Sequence, residues 1–299
     1  MRKRIVTSFI FIFVVLIALV SCVYGTNNFL YKGNKVDNRI DYIHEIKDVL
    51  PPNTEFPSKY RILVLADVHA GSPTRDTDIA PLIAWLKRYK IEHPDDYPLF
   101  GLSLGDLVDH GTKEEYEKYC SLMNQVENEG IHIINVLGNH DLYASGWEHY
   151  QKMCYPNCSL FKFESKNFSW YGIDTGTGDV GIKQYNILKD AFKNDKRPKI
   201  ILMHYPLSNT KRFGFLCLHD PTERNLLIDL FAQNDVKAAL CGHLHQTQDA
   251  DLQLFMEYGN PSYLYSENGW TIFEIDENRK SVIKVPIETI ANVDDLVFE

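Results

Sequence analysis

Seven side chains able to bind a metal ion through oxygen or nitrogen recur in five short segments: Asp67 and His69, Asp106, Asn139, His204, and His243 with His245. Each segment closes an apolar run of strand character, over 61–66, 99–104, 131–137, 200–203 and 236–240. Ligands at the carboxyl ends of strands in an α/β sheet meet in one crevice. Oxygen and nitrogen donors without thiolate suit Mn, Fe, Zn or Co. Two such ions held ~3.5–4 Å apart by a bridging ligand clamp both the attacking and the leaving oxygen of a phosphate ester.

The segments differ in how much they say alone. Asp67-Val68-His69 is a weak signal by itself, and gains weight from the strand before it and the Gly71-Ser72-Pro73 loop after it. Two residues apart on extended backbone, its side chains point to the same side. His243-Leu244-His245 carries the same expectation, and Gly242 lets the backbone come close to the cluster. Asp106 is the choice for the bridge, since a carboxylate has two oxygens; the competing reading makes it the cap of a following helix. Gly138-Asn139-His140-Asp141 is the most specific tetrapeptide, because an amide oxygen binds a cation without adding negative charge. His140 is assigned to protonating the leaving oxygen, with Asp109 holding its orientation. A lone His204 after a strand is more often structural, and only the set raises it to a ligand.

These residues need strands to carry them and helices to cover the strands. Helical patterns run over 79–91, 113–129, 184–192 and 222–232; strand patterns fall at 60–66, 99–104, 131–137, 168–173, 199–203 and 236–240. The alternation predicts an α/β architecture. After Gln246 the pattern turns to short strands, including 271–275 and 281–285, which points to a second sheet. Val36, Ile40, Ile43, Ile46 and Leu50 stand at near-helical spacing before Pro51-Pro52 and predict an amphipathic helix packed on the domain.

The chain has 299 residues with 44% apolar content, enough for one full-sized catalytic domain. Its net charge of −9 argues against nucleic acid as a partner, because polyanions are held by Lys and Arg. An acidic protein that handles phosphate needs a local source of attraction, and bound cations supply one. The start, Met1-Arg2-Lys3-Arg4 followed by an uncharged apolar run to Val20, reads as a secretory signal. Leu19-Val20-Ser21-Cys22 resembles the bacterial lipoprotein box, with Cys22 lipidated after cleavage. An uncleaved membrane anchor and an ordinary cleaved signal are the alternatives. The expected organisation is a signal peptide over 1–21, a tether and helix over 22–59, and a catalytic domain over 60–299, exported and tethered to a membrane. Cys154 and Cys158 flank Pro156 and stand equally as a local disulfide or as two free thiols.

As a set, Asp-x-His at 67–69, Gly-Asp-x-x-Asp at 105–109, Gly-Asn-His-Asp at 138–141, His-x-Pro at 204–206 and Gly-His-x-His at 242–245 resemble the calcineurin-like metallophosphoesterase superfamily. The resemblance implies a four-layer α/β/β/α sandwich of two mixed sheets around a dinuclear centre. It assigns Asp67, His69, Asp106 and His245 to one divalent metal, and Asp106, Asn139, His204 and His243 to the other. It further implies in-line attack by a bridging hydroxide on a small phosphomonoester or phosphodiester, with His140 as the leaving-group acid. The purple acid phosphatase branch carries tyrosine where this chain has Asp109 and glycine where it has His69, so the chain looks like the Asp-x-His branch. His204-Tyr205-Pro206 replaces the frequent His-His-Pro without loss of a ligand. A non-catalytic scaffold of the same fold and a pyrophosphate-bond hydrolase are the competing functions. His44, His93, His132, His149 and His219 take the structural reading, while His110 stays open because it follows Asp109. Arg75, Lys211 and Arg212 are read as solvated charges, and 207–221 as the segment that shapes selectivity.

Overall fold

Strand β2 (Lys59–Leu65) shows how the layers arise. Its side chains alternate: Ile62 and Val64 enter one apolar cluster, and Leu63 and Leu65 are buried on the opposite face. It lies in a five-stranded sheet with β12 (Ser281–Lys284), β11 (Trp270–Asp276), β3 (Gly101–Leu104) and β4 (Ile133–Val136), in the order β12-β11-β2-β3-β4. Strands β2, β3 and β4 run parallel, and β11 is antiparallel to β2.

The second sheet has seven strands in the order β1-β5-β6-β7-β8-β10-β9. They are β1 (His44–Glu45), β5 (Phe161–Glu164), β6 (Ser169–Gly172), β7 (Lys199–Leu202), β8 (Val236–Cys241), β10 (Met256–Gly259) and β9 (Gln248–Asp251). Strands β6, β7, β8 and β10 are mutually parallel. Phe163, Trp170, Ile200 and Leu240 of this sheet share a cluster with Val64, Leu102, Ile134 and Phe273 of the other, so the sheets face each other across one apolar layer. On the outer face of the seven-stranded sheet, Tyr171, Ile201 and Ala239 pack with helices α5 (Ile182–Asn194) and α6 (Pro221–Gln233) through Leu188, Phe192, Leu227 and Phe231. Helices α2 (Ala80–Glu92) and α3 (Lys113–Asn128) cover the other sheet. The Trp85 ring of α2 lies 5.7 Å from Trp270, and the Tyr119 hydroxyl of α3 donates to Asn135. This is the α/β sandwich of two mixed sheets that the motifs implied.

The computed structural model describes residues 35–209 and 216–286. The expected signal peptide, Cys22, the first part of the tether, and Lys211 with Arg212 lie outside the described residues. Among those described, no helix is long and apolar enough to cross a membrane.

Two expectations are corrected. The helix predicted from Val36 to Leu50 is one turn, α1 (Val36–Arg39), after which Ile40 is extended and His44–Glu45 pair with β5. Its apolar residues are divided between two clusters: Val36 and Ile40 go to the helix-covered face, Val49 to the layer between the sheets. Each such burial is worth about 1.5–3 kcal/mol, and helix propensity differences of at most ~0.7 kcal/mol per residue cannot compete. The strands after Gln246 do not build a sheet of their own. β9 and β10 extend the seven-stranded sheet, whereas β11 and β12 complete the other. Helix α4 (Gly146–Met153) and strand β5 were not foreseen. All five described cysteines are free, so Cys154 and Cys158 are not bridged.

Candidate metal centre

The ligand segments follow β2, β3, β4, β7 and β8, all at carboxyl ends of parallel strands. They bring together two groups that share Asp106. Asp67, His69, Asp106 and His245 present donor atoms within 4.8 Å of one another, as do Asp106, His204 and His243. His245 Nε2 is 3.4 Å from Asp67 Oδ1, and His69 Nε2 is 3.2 Å from His245 Nε2. In the second group His204 Nε2 stands 3.3 Å from Asp106 Oδ1 and 3.0 Å from Asn139 Oδ1. Two acceptor-rich pockets meeting at one carboxylate fit two divalent cations by donor chemistry.

The backbone achieves this in a way that strand periodicity does not anticipate. Asp67, His69, Asp106, His243 and His245 all have positive φ, between 46° and 67°. The same-side argument for Asp67/His69 and His243/His245 therefore reached convergent side chains through extended geometry that is not there. Left-handed non-glycine residues cost of order 1–3 kcal/mol each and persist only where their surroundings hold them. Here those surroundings are hydrogen bonds between the loops. The Asp67 amide donates to Gly105 O (3.0 Å), the His69 amide to Asp106 O (2.9 Å), and the His243 amide to both oxygens of Asp67 (3.0 Å each). The His140 amide donates to Asp106 Oδ1 at 2.8 Å. Asp106 caps no helix, since α3 begins at Lys113 with Thr112 as its cap.

Close approach requires glycine at Gly138 and Gly242. A Cβ on Gly138 would lie 2.1 Å from the Asp106 amide nitrogen and 2.4 Å from Asp106 Oδ1. One on Gly242 would come within 2.9 Å of Asp67 Oδ2, in accord with the sequence reading.

Charge and burial set the proton inventory. Burial opposes protonation of His204, but the Asp106 carboxylate outweighs it and lifts the imidazole to about 9. Its Nδ1–H donates to Leu104 O at 2.8 Å, which fixes Nε2 as the atom facing the cluster. Burial pulls His243 down to about 3, with the neighbouring His204 adding to it. His69 is lowered by burial despite Asp106 and Asp67; His245 is raised because Asp67 more than offsets its burial. For Asp106 burial is again the largest effect, yet His204, His140 and His69 together hold it well below the carboxylate range.

The carboxylate of Asp109 is not where the orienting role for His140 needs it. His140 Nδ1 donates to the Asp109 main-chain carbonyl at 2.7 Å, and the nearest Asp109 carboxyl oxygen is 3.8 Å away. That oxygen instead stands 3.1 Å from Nδ1 of His69. The contact is within ion-pair reach without the alignment of a hydrogen bond.

Three further residues shape the centre. Asp141, buried beneath it, accepts from Leu107 N (2.8 Å) and Val108 N (3.2 Å) with one oxygen and from Gly138 N (2.7 Å) with the other. It thereby ties the Asp106 loop to the Asn139 loop. Burial and the Asp106 charge push it up to about 7, against the pull of those amides. Tyr205 stacks on His243 with ring centroids 3.7 Å apart, and Tyr265 lies parallel to His245 at 5.3 Å. Gly-Asn-His-Asp could have flagged Asp141; nothing local flags Tyr265, 20 residues beyond its imidazole. Arg75 lines a cavity with Asp78, Tyr263 and Trp270.

The calcineurin-like phosphoesterase profile matches residues 60–247. No curated protein sequence matches the chain. Among solved structures, a dimetal phosphatase from Danio rerio has a TM-score of 0.55 at 10% identity, covering 76% of this chain and 98% of its own. The purple acid phosphatase PPD1 from yellow lupin (Lupinus luteus) seeds has a TM-score of 0.53 at 12% identity, over 77% of this chain and 54% of its own. GAP50, the anchor in the inner membrane complex of Plasmodium, has a TM-score of 0.54 at 14% identity, over 76% and 83%. At these identities the structures share the fold, and the profile carries the family. Spanning all five ligand segments, the match places the chain in the calcineurin-like phosphoesterase family.

Proposed function

We propose that the protein hydrolyses small phosphate mono- or diesters with two divalent metal ions and His140 as the leaving-group acid. The observation that carries this reading is the pair of ligand groups sharing Asp106, with His140 beside them. When bound, the cations would supply a polarised phosphoryl group and a water of lowered pKa. Asp67, His69, Asp106 and His245 would hold one, and Asp106, Asn139, His204 and His243 the other. Both carboxylates are balanced by neutral donors, so the loaded site attracts a phosphate anion despite the chain's net charge of −9.

His140 does the proton work in this reading. Its Nδ1–H is committed to the Asp109 carbonyl, so the proton it gives is carried on Nε2. Its side chain is 29% exposed, open enough to meet a substrate oxygen. The ring stands 4.6 Å from that of His69 and 5.1 Å from that of Tyr143, which restricts its swing.

The test is a panel of mono-, di- and pyrophosphate esters assayed after reconstitution with Mn, Zn or Fe. Asp106→Asn should abolish every activity of the site. His140→Ala should lower kcat on an alkyl ester by about 10²–10⁴-fold and on an aryl ester with a good leaving group far less. Equal losses on both esters would remove His140 from the acid role, and activity that survives Asp106→Asn would remove the shared carboxylate from the mechanism.

A further inference from the structure

His110 is a histidine beside the cluster that the mechanism leaves unused, and its surroundings are specific. Asp109 Oδ2 lies 3.2 Å from His110 Nδ1, while Asp109 Oδ1 faces His69 Nδ1 at 3.1 Å. His110 Nδ1 also lies 3.2 Å from Glu115 Oε1, and the His110 amide donates to Glu115 Oε2 at 2.9 Å. Glu115 is itself fixed: it closes the capping box of α3 by accepting from the Thr112 amide at 3.1 Å, and its stem packs over Gly71. A continuous chain of contacts thus runs from the first turn of α3 through Glu115, His110 and Asp109 to the imidazole of His69.

We propose that His110, anchored by Glu115, is a positioning residue that holds the Asp109 carboxylate against His69. The inference rests on the reading that His69 is a metal ligand. A ligating imidazole must present an unprotonated nitrogen, and the acceptor on its other nitrogen fixes both tautomer and ring orientation. For His69 the cluster-facing atom is Nε2, so its Nδ1–H needs an acceptor, and Asp109 Oδ1 is the one within reach. Rotation about the terminal bond of an aspartate is soft. The Asp109 side chain is 12% exposed, so water competes for its oxygens. His140 does not secure it, because its Nδ1–H is taken by the Asp109 main-chain carbonyl. His110 Nδ1, hydrogen-bonded to Glu115 Oε1, stands 3.2 Å from the second carboxyl oxygen, an ion-pair contact that leaves the first facing His69. With its side chain 56% exposed, His110 adds little to the core, so its removal is a clean probe of this contact.

The experiment measures stoichiometry and affinity for Mn²⁺ by calorimetry on the full chain, with steady-state kinetics and thermal unfolding of the metal-free protein alongside. His110→Ala should weaken one of the two ions by about tenfold and leave the other and the metal-free unfolding temperature unchanged. His110→Asn, whose amide nitrogen stands near the place of Nδ1, should restore most of that affinity. Glu115→Gln, which keeps acceptors for the His110 and Thr112 amides, should shift affinity the same way by a smaller factor. Unchanged Mn²⁺ affinity in His110→Ala, with or without a raised KM, would overturn the positioning role; a raised KM would make His110 a substrate contact. Absence of Mn²⁺ binding in the unsubstituted protein would overturn the metal reading itself, a result distinct from either.

Discussion

His204 and His243 flank one carboxylate, yet they hold opposite proton states. His204 accepts a proton up to about 9 because the Asp106 carboxylate facing its Nε2 outweighs burial; His243 is driven to about 3 by burial first and by the neighbouring His204 second. Metal and proton therefore compete for His204 Nε2 and not for His243. The sign follows: below about 9 a cation must displace a proton, so affinity rises with pH and levels off once His204 is neutral. Calorimetric binding of Zn²⁺ or Mn²⁺ at pH 7.5, in buffers of differing ionisation enthalpy, should show net proton release that fades near pH 10. Release that is absent at pH 7.5 would contradict the charge state given to His204. At this scale the sequence was legible where a chemical type sits at a strand end, as with the seven candidate ligand positions that the fold brings to one cluster. It was not legible for the Asp109 carboxylate, whose target depends on a loop that sends it to His69, leaving its own carbonyl to His140.

The loops impose the strictest demand among the elements, because five candidate ligands sit in left-handed backbone that hydrogen bonds between loops must maintain. The Asp106 and Asn139 loops touch through Gly138, and Asp141 bonds across the same seam. Gly138→Ala would put a methyl group 2.1 Å from a backbone nitrogen, a clash no rotamer relieves. The loops must separate, so affinity for at least one ion should fall by about 10–100-fold. Overpacking of this kind costs roughly 1–3 kcal/mol of stability, a small shift in urea midpoint beside the metal loss. Wild-type metal binding in Gly138→Ala would show that the seam does not set ligand geometry. Elements with a single period were readable: α2, α3, α5 and α6 fall on their apolar repeats. The 36–50 stretch was not, because its apolar residues serve two clusters on either side of a sheet edge and imitate a helical spacing. β11 and β12 were readable as strands, but their sheet is decided by a partner far away in the chain, since β11 pairs with β2.

A buried ion pair ties the N-terminal arm at Arg39 to the strand end that follows β6. Arg39 donates two parallel bonds to Asp174, Nε to Oδ2 and Nη2 to Oδ1 at 2.8 Å each, and both side chains are fully buried. Asp174 follows β6, and its neighbour Thr175 accepts the amides of His204 (3.1 Å) and Tyr205 (3.0 Å). The arm that closes the edge of the seven-stranded sheet is thereby two residues of contact from a ligand. Removing one partner leaves a buried charge without its counterion, which costs about 3–5 kcal/mol, while apolar replacement of both is often neutral or better. Arg39→Met should accordingly lower unfolding free energy by that amount in urea, and the double variant Arg39→Met, Asp174→Leu should recover most of it. The Gly176 amide also bonds to Asp174 Oδ1 at 3.1 Å, so recovery will fall short of complete. If the pair serves only to hold the arm, both variants, once folded, should bind metal as the parent does. Weakened metal binding in the double variant at restored stability would instead show that Asp174 sets the strand end carrying Thr175 and, through it, the amide of His204.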